Sequence, residues 1–433
     1  MSFPARVTFG DLQRLPAADR DQLAGDAVLL LVNDLRVALA TLAQLDGAVQ
    51  RILIASSAQS PEVIWQLGRQ AGCTVVVTDL PLSDLPAGWQ SVRVAWERPL
   101  AGRPADHQGS EESTRWLLST TGTTGLPKIV GHELESLTRT IRQEMLADTD
   151  VRWGMLYDYT RYAGLQVVLQ ALLSGATIIA PDAADGLEDQ IDELVVGGCT
   201  HLSATPTLWR KILMTDVVGR LNLRQVTLGG EIADQRLLNA LRVQFPAARV
   251  THIYASTESG VGFSVSDGLA GFPVDYLAQP RNGIEMRVVG DRLQVKNTRV
   301  DGSYVGSQIH FADPAGFVDT GDIVEQRGSR FYFLGRANGQ INVGGNKVHP
   351  EQVEDVLLQH HAVAAARVTA RQSSFTGALV VAEVVIRRNG SDERSVRAEL
   401  LKFCREHLSR HQVPAVVQCV EEIEINAGGK VTR

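Results

Sequence analysis

The chain has 433 residues, of which 44% are hydrophobic and 21% charged, with a formal net charge of −7. That length allows more than one domain around a large buried core, and the acidic balance excludes the basic field that recruits nucleic acid or anionic membrane. No segment is apolar for long enough to span a bilayer, and the four scattered cysteines lack metal-ligand spacing and read as reduced thiols, so a cytoplasmic protein is expected.

Residues 27–78 alternate strand, helix, strand, helix, strand. The strands fall at 28–32, 51–55 and 74–78. Helical spacing joins Leu35, Leu39, Leu42 and Leu45, and then Val63, Ile64, Leu67 and Ala71. Such alternation predicts a parallel α/β sheet. A polar connector is expected over 97–112. Leu134, Leu137, Ile141 and Met145 share one helical face, an apolar helix covers 167–173, and a short strand covers 176–180. Further parallel strands are predicted at 202–204, 225–228 and 250–254. From 283 to 333 the pattern becomes short alternating strands (285–289, 292–295, 322–325, 331–334), which suggests a small β-barrel-like subdomain. Beyond residue 338 comes a separate α+β unit, with a helix after Pro350, strands near 365–370 and 379–386, and a helix over 392–408. Cys404 shares the apolar face of that last helix with Val396, Leu400 and Leu408, so core packing is its expected role.

The run Thr120-Thr121-Gly122-Thr123-Thr124-Gly125-Leu126-Pro127-Lys128 follows the apolar segment Trp116-Leu117-Leu118. Glycines let backbone N–H groups turn toward an anion, hydroxyls add donors, and lysine adds charge. The combination suits a polyphosphate, although the spacing is neither the Walker nor the Rossmann pattern. Downstream, in order, stand Gly229-Gly230-Glu231, Tyr254-Ala255-Ser256-Thr257-Glu258, Thr320-Gly321-Asp322, Gly335-Arg336, Gly344-Gly345-Asn346-Lys347-Val348 and Asn426-Ala427-Gly428-Gly429-Lys430. Several fall just past predicted strands, where ligands bind in open α/β sheets.

Together these motifs resemble the acyl-adenylate-forming superfamily: acyl- and aryl-CoA ligases, luciferases, and the adenylation domains of peptide synthetases. The likeness runs from about Leu117 to the last residue, with Ala255 in place of the family's glycine. It is to a compact member with a shortened N-terminal region. It implies a large N-terminal domain of parallel α/β sheets with the small β subdomain (residues 1–337), then a mobile α+β lid domain (residues 338–433). The hinge would be Asn338, where relatives usually carry aspartate.

The resemblance also implies roles. Thr120, Thr121, Gly122, Thr123, Thr124, Gly125 and Lys128 would hold the β- and γ-phosphates of ATP. Thr257 would reach the α-phosphate, and Glu258 would bind Mg²⁺ through a hard oxygen. Tyr254 would stack on adenine, with Gly229, Gly230, Glu231, Ala255 and Ser256 beside it. Asp322 and Arg336 would take the ribose, and Lys430 would stabilise the adenylation transition state.

The acyl pocket would be walled by Tyr159, Arg161, Tyr162, Ala163 and Gly164 and floored by Ser256, Gly260 and Val261. Two tyrosines and small residues suit a flat ring. Arg161 would meet a carboxylate or polar substituent, or form an ion pair with Asp158. His201 and His252 are expected to be satisfied interior histidines. The implied reaction activates a carboxylic acid, small and aromatic or else short and polar, with ATP and Mg²⁺, then passes the acyl group to coenzyme A or to the phosphopantetheine of a carrier protein. Two alternatives stand beside it: a ligase with an amine or other acceptor, and a non-catalytic nucleotide-binding protein. A monomer or homodimer is expected, with no nucleic-acid or membrane partner.

Overall fold

The computed structural model describes residues 23, 27–82, 84–95, 113–120, 127–141, 150–280, 283–300, 302–373, 377–387 and 393–424. Two compact units divide the chain. The first comprises Met1–Pro181, Ala255–Val261 and Lys296–Val318, and the second Asp182–Tyr254, Gly262–Val295 and Asp319–Arg433.

In the first unit, the apolar runs near the N-terminus become β1 (Ala27–Leu31), β2 (Arg51–Ile54) and β3 (Val75–Thr78). With β4 (Gln90–Arg93), β5 (Arg115–Ser119) and β6 (Ile129–Glu133) they form one sheet in the order β4-β3-β1-β2-β5-β6. All neighbours are parallel except β5 and β6. Strands buried on both faces read as continuous apolar runs, which is why β1 to β3 were recognisable. Helix α1 (Leu35–Leu45) starts at Asp34, whose carboxylate accepts from the N–H groups of Arg36 and Val37. Helix α2 (Pro61–Ala71) opens on proline and stops at Gly72, where φ is 77°.

Helix α3 covers only Leu134–Thr138, shorter than the periodicity through Met145 predicts. The Thr138 hydroxyl donates to the Leu134 carbonyl at 2.8 Å, a local bond that competes with helix continuation. Residues 97–112, where the connector is expected, and residues 142–149, which include Met145, lie outside the described residues. β7 (Arg152–Met155) and β8 (Thr177–Ile179) pair in parallel, and α4 (Tyr162–Leu173) connects them. Helix α4 extends back to Tyr162 because Val168, Leu165 and Tyr162 belong to the same apolar core as β1.

In the second unit, β9 (His201–Ala204), β10 (Gln225–Gly229) and the residues of β11 (Arg249–Ser256) that face β10 run parallel, with helices α5 (Leu187–Val196), α6 (Pro206–Leu213) and α7 (Gln235–Gln244). Thr205 and Asp234 cap α6 and α7 through their side-chain oxygens. β12 (Gly260–Val265) neighbours β11.

The alternating stretch forms β13 (Phe272–Pro273), β14 (Ile284–Val289), β15 (Arg292–Asn297), β16 (Phe317–Arg327) and β17 (Arg330–Arg336), ordered β13-β17-β16-β15-β14. Phe263, Phe272, Leu293 and Phe331 fill its core.

The C-terminal part begins with a hairpin, β18 (Ile341–Val343) and β19 (Asn346–Val348), turned by Gly344 and Gly345 at φ 58° and 87°. Helix α8 (Pro350–Gln359), β20 (Val363–Ser373), β21 (Gly377–Ile386), helix α9 (Glu393–His407) and β22 (Val416–Cys419) complete it. Cys404 is fully buried with Val396 and Leu400, and burial pushes its thiol up to about 11, in keeping with a packing role. Among the described residues, no helix is long and apolar enough to cross a membrane.

Candidate active site

The site residues of the first unit are arranged by the β5–β6 hairpin. Thr120 N–H donates to the Lys128 carbonyl at 2.8 Å, and Lys128 N–H donates to the Thr120 hydroxyl at 3.3 Å. This reciprocal pair clamps the two ends of the glycine-rich run. Thr121, Gly122, Thr123, Thr124 and Gly125 themselves lie outside the described residues. The exposed Lys128 ammonium sits 4.6 Å from the centre of the Tyr304 ring, a cation–π distance.

The same tyrosine reaches the second motif. Its hydroxyl donates to Glu258 Oε1 at 3.5 Å, and burial together with the Glu258 charge raises that hydroxyl to about 12. The Thr257 carbonyl accepts from His132 Nε2 at 2.9 Å. Ser256 shapes the turn. Its Oγ accepts from the Ser259 N–H at 3.0 Å and lies 2.9 Å from the Ser259 hydroxyl. Asn297 Nδ2 donates to the Ser259 carbonyl at 2.8 Å, and Gly260 takes φ 70° where a Cβ would crowd the Tyr162 hydroxyl at 3.1 Å. Glu258 thus presents one hard carboxylate with lone pairs to spare, a donor set that fits a magnesium ion carrying nucleotide phosphates.

The expected pocket wall has more structural duties than the sequence suggests. The buried Tyr159 hydroxyl donates to the Val32 carbonyl at the end of β1. Tyr162 is buried, and its hydroxyl bonds the Val261 carbonyl, which Arg139 also serves. Gly164 is needed for close approach, because a Cβ there would lie 2.2 Å from the Asp158 carbonyl oxygen. Ala163 packs against the main core. Arg161 differs. Its Nε is buried without a hydrogen-bond partner and stands 4.0 Å from Asp158 Oδ2. Asp158 spends its other oxygen on the Thr160 N–H and hydroxyl, at 2.9 and 2.7 Å.

In the second unit, Asp322 is the organising residue. Its Oδ2 accepts from the Tyr254 hydroxyl at 2.5 Å and its Oδ1 from Arg336 Nε at 3.0 Å. Arg336 Nη2 also donates to the Thr320 carbonyl at 3.0 Å. Thr320 Oγ1 accepts from the Asp322 N–H and donates to the Leu293 carbonyl, which fixes the Thr320-Gly321-Asp322 turn.

Tyr254 has aromatic partners that the sequence did not show. Its ring stacks on Phe263 and on Phe333, with both centroids at 5.2 Å and interplanar angles of 14° and 15°. The ring belongs to an aromatic ladder, and its hydroxyl serves Asp322. Burial raises that hydroxyl, and the adjacent Asp322 charge raises it further.

Glu231 also has a local duty, because its carboxylate accepts from the Thr207 N–H in the first turn of α6 at 2.9 Å. A Cβ at Gly229 would make only ordinary contact with the Ile253 carbonyl oxygen, at 3.9 Å, and Gly230 takes φ 83°. Ala255 packs against the first unit's core. His201 and His252 are satisfied by Thr200 Oγ1 and the Leu269 carbonyl. Asn338 lies exposed in the single turn Ala337–Gly339 that follows β17, and Lys430 lies outside the described residues.

His132 and Tyr304 are absent from the sequence reading. A strand signal existed for the first, because Lys128, Val130 and His132 alternate onto one face of β6. Tyr304 gives no linear signal. Elsewhere, the donor atoms of His360, His361 and Glu399 converge within 4.8 Å. Ala362 N–H already donates to His360 Nδ1, and Arg236 serves the His360 carbonyl, so that cluster is a poor cation site.

Against this geometry stand the comparisons with known proteins. The profile of the AMP-binding enzymes matches residues 25–306, and that of the AMP-binding enzyme C-terminal domain matches residues 352–430. The chain belongs to the AMP-binding enzyme family. It is 27% identical over 413 residues to a 2-succinylbenzoate–CoA ligase of Bacillus cereus, covering 89% of this chain and 82% of that protein. The anthranilate CoA ligase AuaEII, solved with anthranoyl-AMP, shares the fold with a TM-score of 0.83 at 18% identity, over 99% of this chain and 91% of that one. The o-succinylbenzoate coenzyme A synthetase of Bacillus subtilis, solved with ATP and magnesium ion, gives 0.71 at 22% identity, over 94% and 88%.

Proposed function

We propose that the protein activates a small aromatic carboxylic acid with ATP and passes the acyl group to the thiol of coenzyme A. A carboxylate is a poor acyl donor because its leaving group would be oxide. Attack of the acid's oxygen on the α-phosphorus forms a new P–O bond and breaks the bond to the β-phosphate, so pyrophosphate leaves. The thiol sulfur then attacks the acyl carbon, AMP departs, and the thiol proton is released. Proteins contribute positioning and charge neutralisation to such steps. The observation that carries this reading is the meeting at Tyr304 of Lys128 and Glu258, the cation and carboxylate of two motifs far apart in the chain.

In this reading Lys128 and its loop hold the terminal phosphates, Thr257 serves the α-phosphate, and Glu258 takes magnesium. Magnesium, when bound, neutralises phosphate charge that builds during the displacement. Asp322 takes the ribose. A carboxylate offers about four lone-pair sites. Tyr254 and Arg336 use one on each oxygen, which leaves one on each for two ribose hydroxyls. Lys430 belongs to a lid domain over residues 338–433 that turns about Asn338. Beside coenzyme A, a phosphopantetheine-bearing carrier protein is the second acceptor to compare.

For the acid, the 2-succinylbenzoate ligases supply the model, an aromatic ring with a second carboxylate. Arg161 suits it, because its unpartnered Nε leaves donors for a carboxylate while its pair with Asp158 stays loose. The test is ATP–pyrophosphate exchange over a panel of acids that includes 2-succinylbenzoate, anthranilate and benzoate, followed by thioester analysis with coenzyme A. Acid-dependent exchange is expected. Its absence with every acid would leave a nucleotide-binding protein without ligase activity.

A further inference from the structure

The backbone around Tyr304 is fastened to β6. His132 forms an antiparallel bridge with Val300, and the Val305 N–H donates to the Ile129 carbonyl at 2.9 Å. The Tyr304 ring packs on Phe311, with centroids 4.8 Å apart. One strand thus carries Lys128 at its entrance, His132 in its middle and Tyr304 along its side. Two of these groups touch the Thr257-Glu258 turn from different directions, His132 at the Thr257 carbonyl and Tyr304 at the Glu258 carboxylate.

His132 is 1% exposed. A carbonyl can only accept, so Nε2 carries the proton and Nδ1 keeps a lone pair. That Nδ1 is buried without a hydrogen-bond partner, a cost that an ordinary core residue would not carry. Burial holds the imidazole down at about 4, so at neutral pH the ring stays an uncharged donor. A leucine would fill this space at lower electrostatic cost, and what it would lack is the N–H that fixes Thr257.

We infer that His132 and Tyr304 are positioning residues, a two-point strut that sets the Thr257-Glu258 turn against Lys128 so that magnesium-bound nucleotide phosphate is held by both motifs at once. The inference rests on the phosphate and magnesium roles proposed above. Neither side chain need touch the reacting atoms. His132 sets the backbone height of the turn. Tyr304 orients the carboxylate with its hydroxyl and the ammonium with its ring face, which places opposite charges at fixed positions and keeps them from collapsing onto each other.

The experiment measures ATP affinity by calorimetry with and without magnesium, without acid, in the wild type, His132→Leu, His132→Gln, Tyr304→Phe and Glu258→Gln. Exchange kinetics are run beside it. The wild type should gain affinity from magnesium. In His132→Leu and Tyr304→Phe that gain should shrink by about tenfold, the size of one lost hydrogen bond near charge. The exchange kcat should fall with it while the KM for the acid holds. His132→Gln, whose amide can still donate to Thr257, should recover most of the gain. Circular dichroism and melting temperature establish that each variant is folded. A magnesium-dependent gain that is lost in Glu258→Gln but intact in folded His132→Leu and Tyr304→Phe would overturn the strut and leave the function standing. A gain unaffected by Glu258→Gln would overturn both the magnesium assignment and the strut built on it.

Discussion

The two units hold their candidate site residues in opposite ways. In the second unit the predicted residues satisfy one another, since Asp322 receives Tyr254 on one oxygen and Arg336 on the other. In the first unit the predicted residues are held by others. His132 and Asn297 fasten the backbone of the Thr257–Ser259 turn, and Tyr304 stands beside Glu258 and Lys128. A closed cluster with spare lone pairs suits neutral hydroxyl ligands, which can add to it without breaking its own bonds. A carboxylate and an ammonium fixed by third parties suit a ligand of high charge, which must find both unpaired with each other. Candidate site residues therefore need not be residues that bond to each other.

The largest expected effect tests the first unit. Glu258→Gln should lower the adenylation rate by about 10²- to 10³-fold, the range for removing one group that stabilises transition-state charge. Pyrophosphate exchange against a magnesium titration measures it. A loss below about threefold would mean that the carboxylate only shapes its turn.

The pH response sharpens the same side. His132 is held at about 4, chiefly by burial and further by the Arg115 charge, against an ordinary value near 6.5. Its folded value is depressed, so the unfolded chain binds the proton first as pH falls. Stability from this group is complete above about pH 6.5 and is lost progressively down to about pH 4, by about 3 kcal/mol. Urea unfolding at several pH values, compared with His132→Gln, should show a flatter acid limb in the variant. Parallel limbs would assign the acid sensitivity elsewhere.

On the other side of the comparison, Asp322→Ala removes a charged acceptor and leaves Tyr254 and Arg336 without it. ATP affinity should fall about tenfold to a hundredfold, the loss of one bond to a charged group at about 1.5–3 kcal/mol. Asp322→Asn should cost less, because one acceptor oxygen remains. Calorimetry with ATP decides it, and unchanged affinity would remove the ribose assignment.

How much of this was legible follows from which interactions are local. The strands β1, β2 and β3 were visible because burial on both faces leaves a continuous apolar run, whereas β9 and β10 alternate apolar with polar residues. β6 was not visible, because it reads Ile129-Val130-Gly131-His132-Glu133, with a glycine and a buried histidine breaking that signal. The short β18–β19 hairpin showed only its two glycines. The order of the site motifs was legible, whereas their partners were not. The two phenyl rings that hold Tyr254 come from β12 and β17, and the carbonyl that holds Tyr159 comes from residue 32. Contacts of that sequence separation leave no periodicity to read. Gly164 shows the same limit from the other direction, because a small residue that suits a pocket also suits a backbone pressed to 2.2 Å from where its Cβ would be.

The smallest expected effect bears on the acid. Arg161 caps the start of α4 without a side-chain cap bond, so its guanidinium has no duty to the helix. Its ion pair with Asp158 sits at 4.0 Å, and Asp158 is already satisfied by Thr160. A pair this loose contributes little to stability, so Arg161→Leu should leave the melting temperature nearly unchanged. If the guanidinium reads a second carboxylate, the variant should lose about tenfold in kcat/KM for 2-succinylbenzoate, the loss expected when a single charge-assisted bond is removed. Activity with benzoate, which has no second carboxylate, should hold or rise. The ratio of the two acids is the measurement, because it cancels any general damage to the site. A ratio unchanged by the substitution, together with a fall in melting temperature, would return Arg161 to a structural pair with Asp158 and leave the acid to be chosen by the shape of the pocket alone.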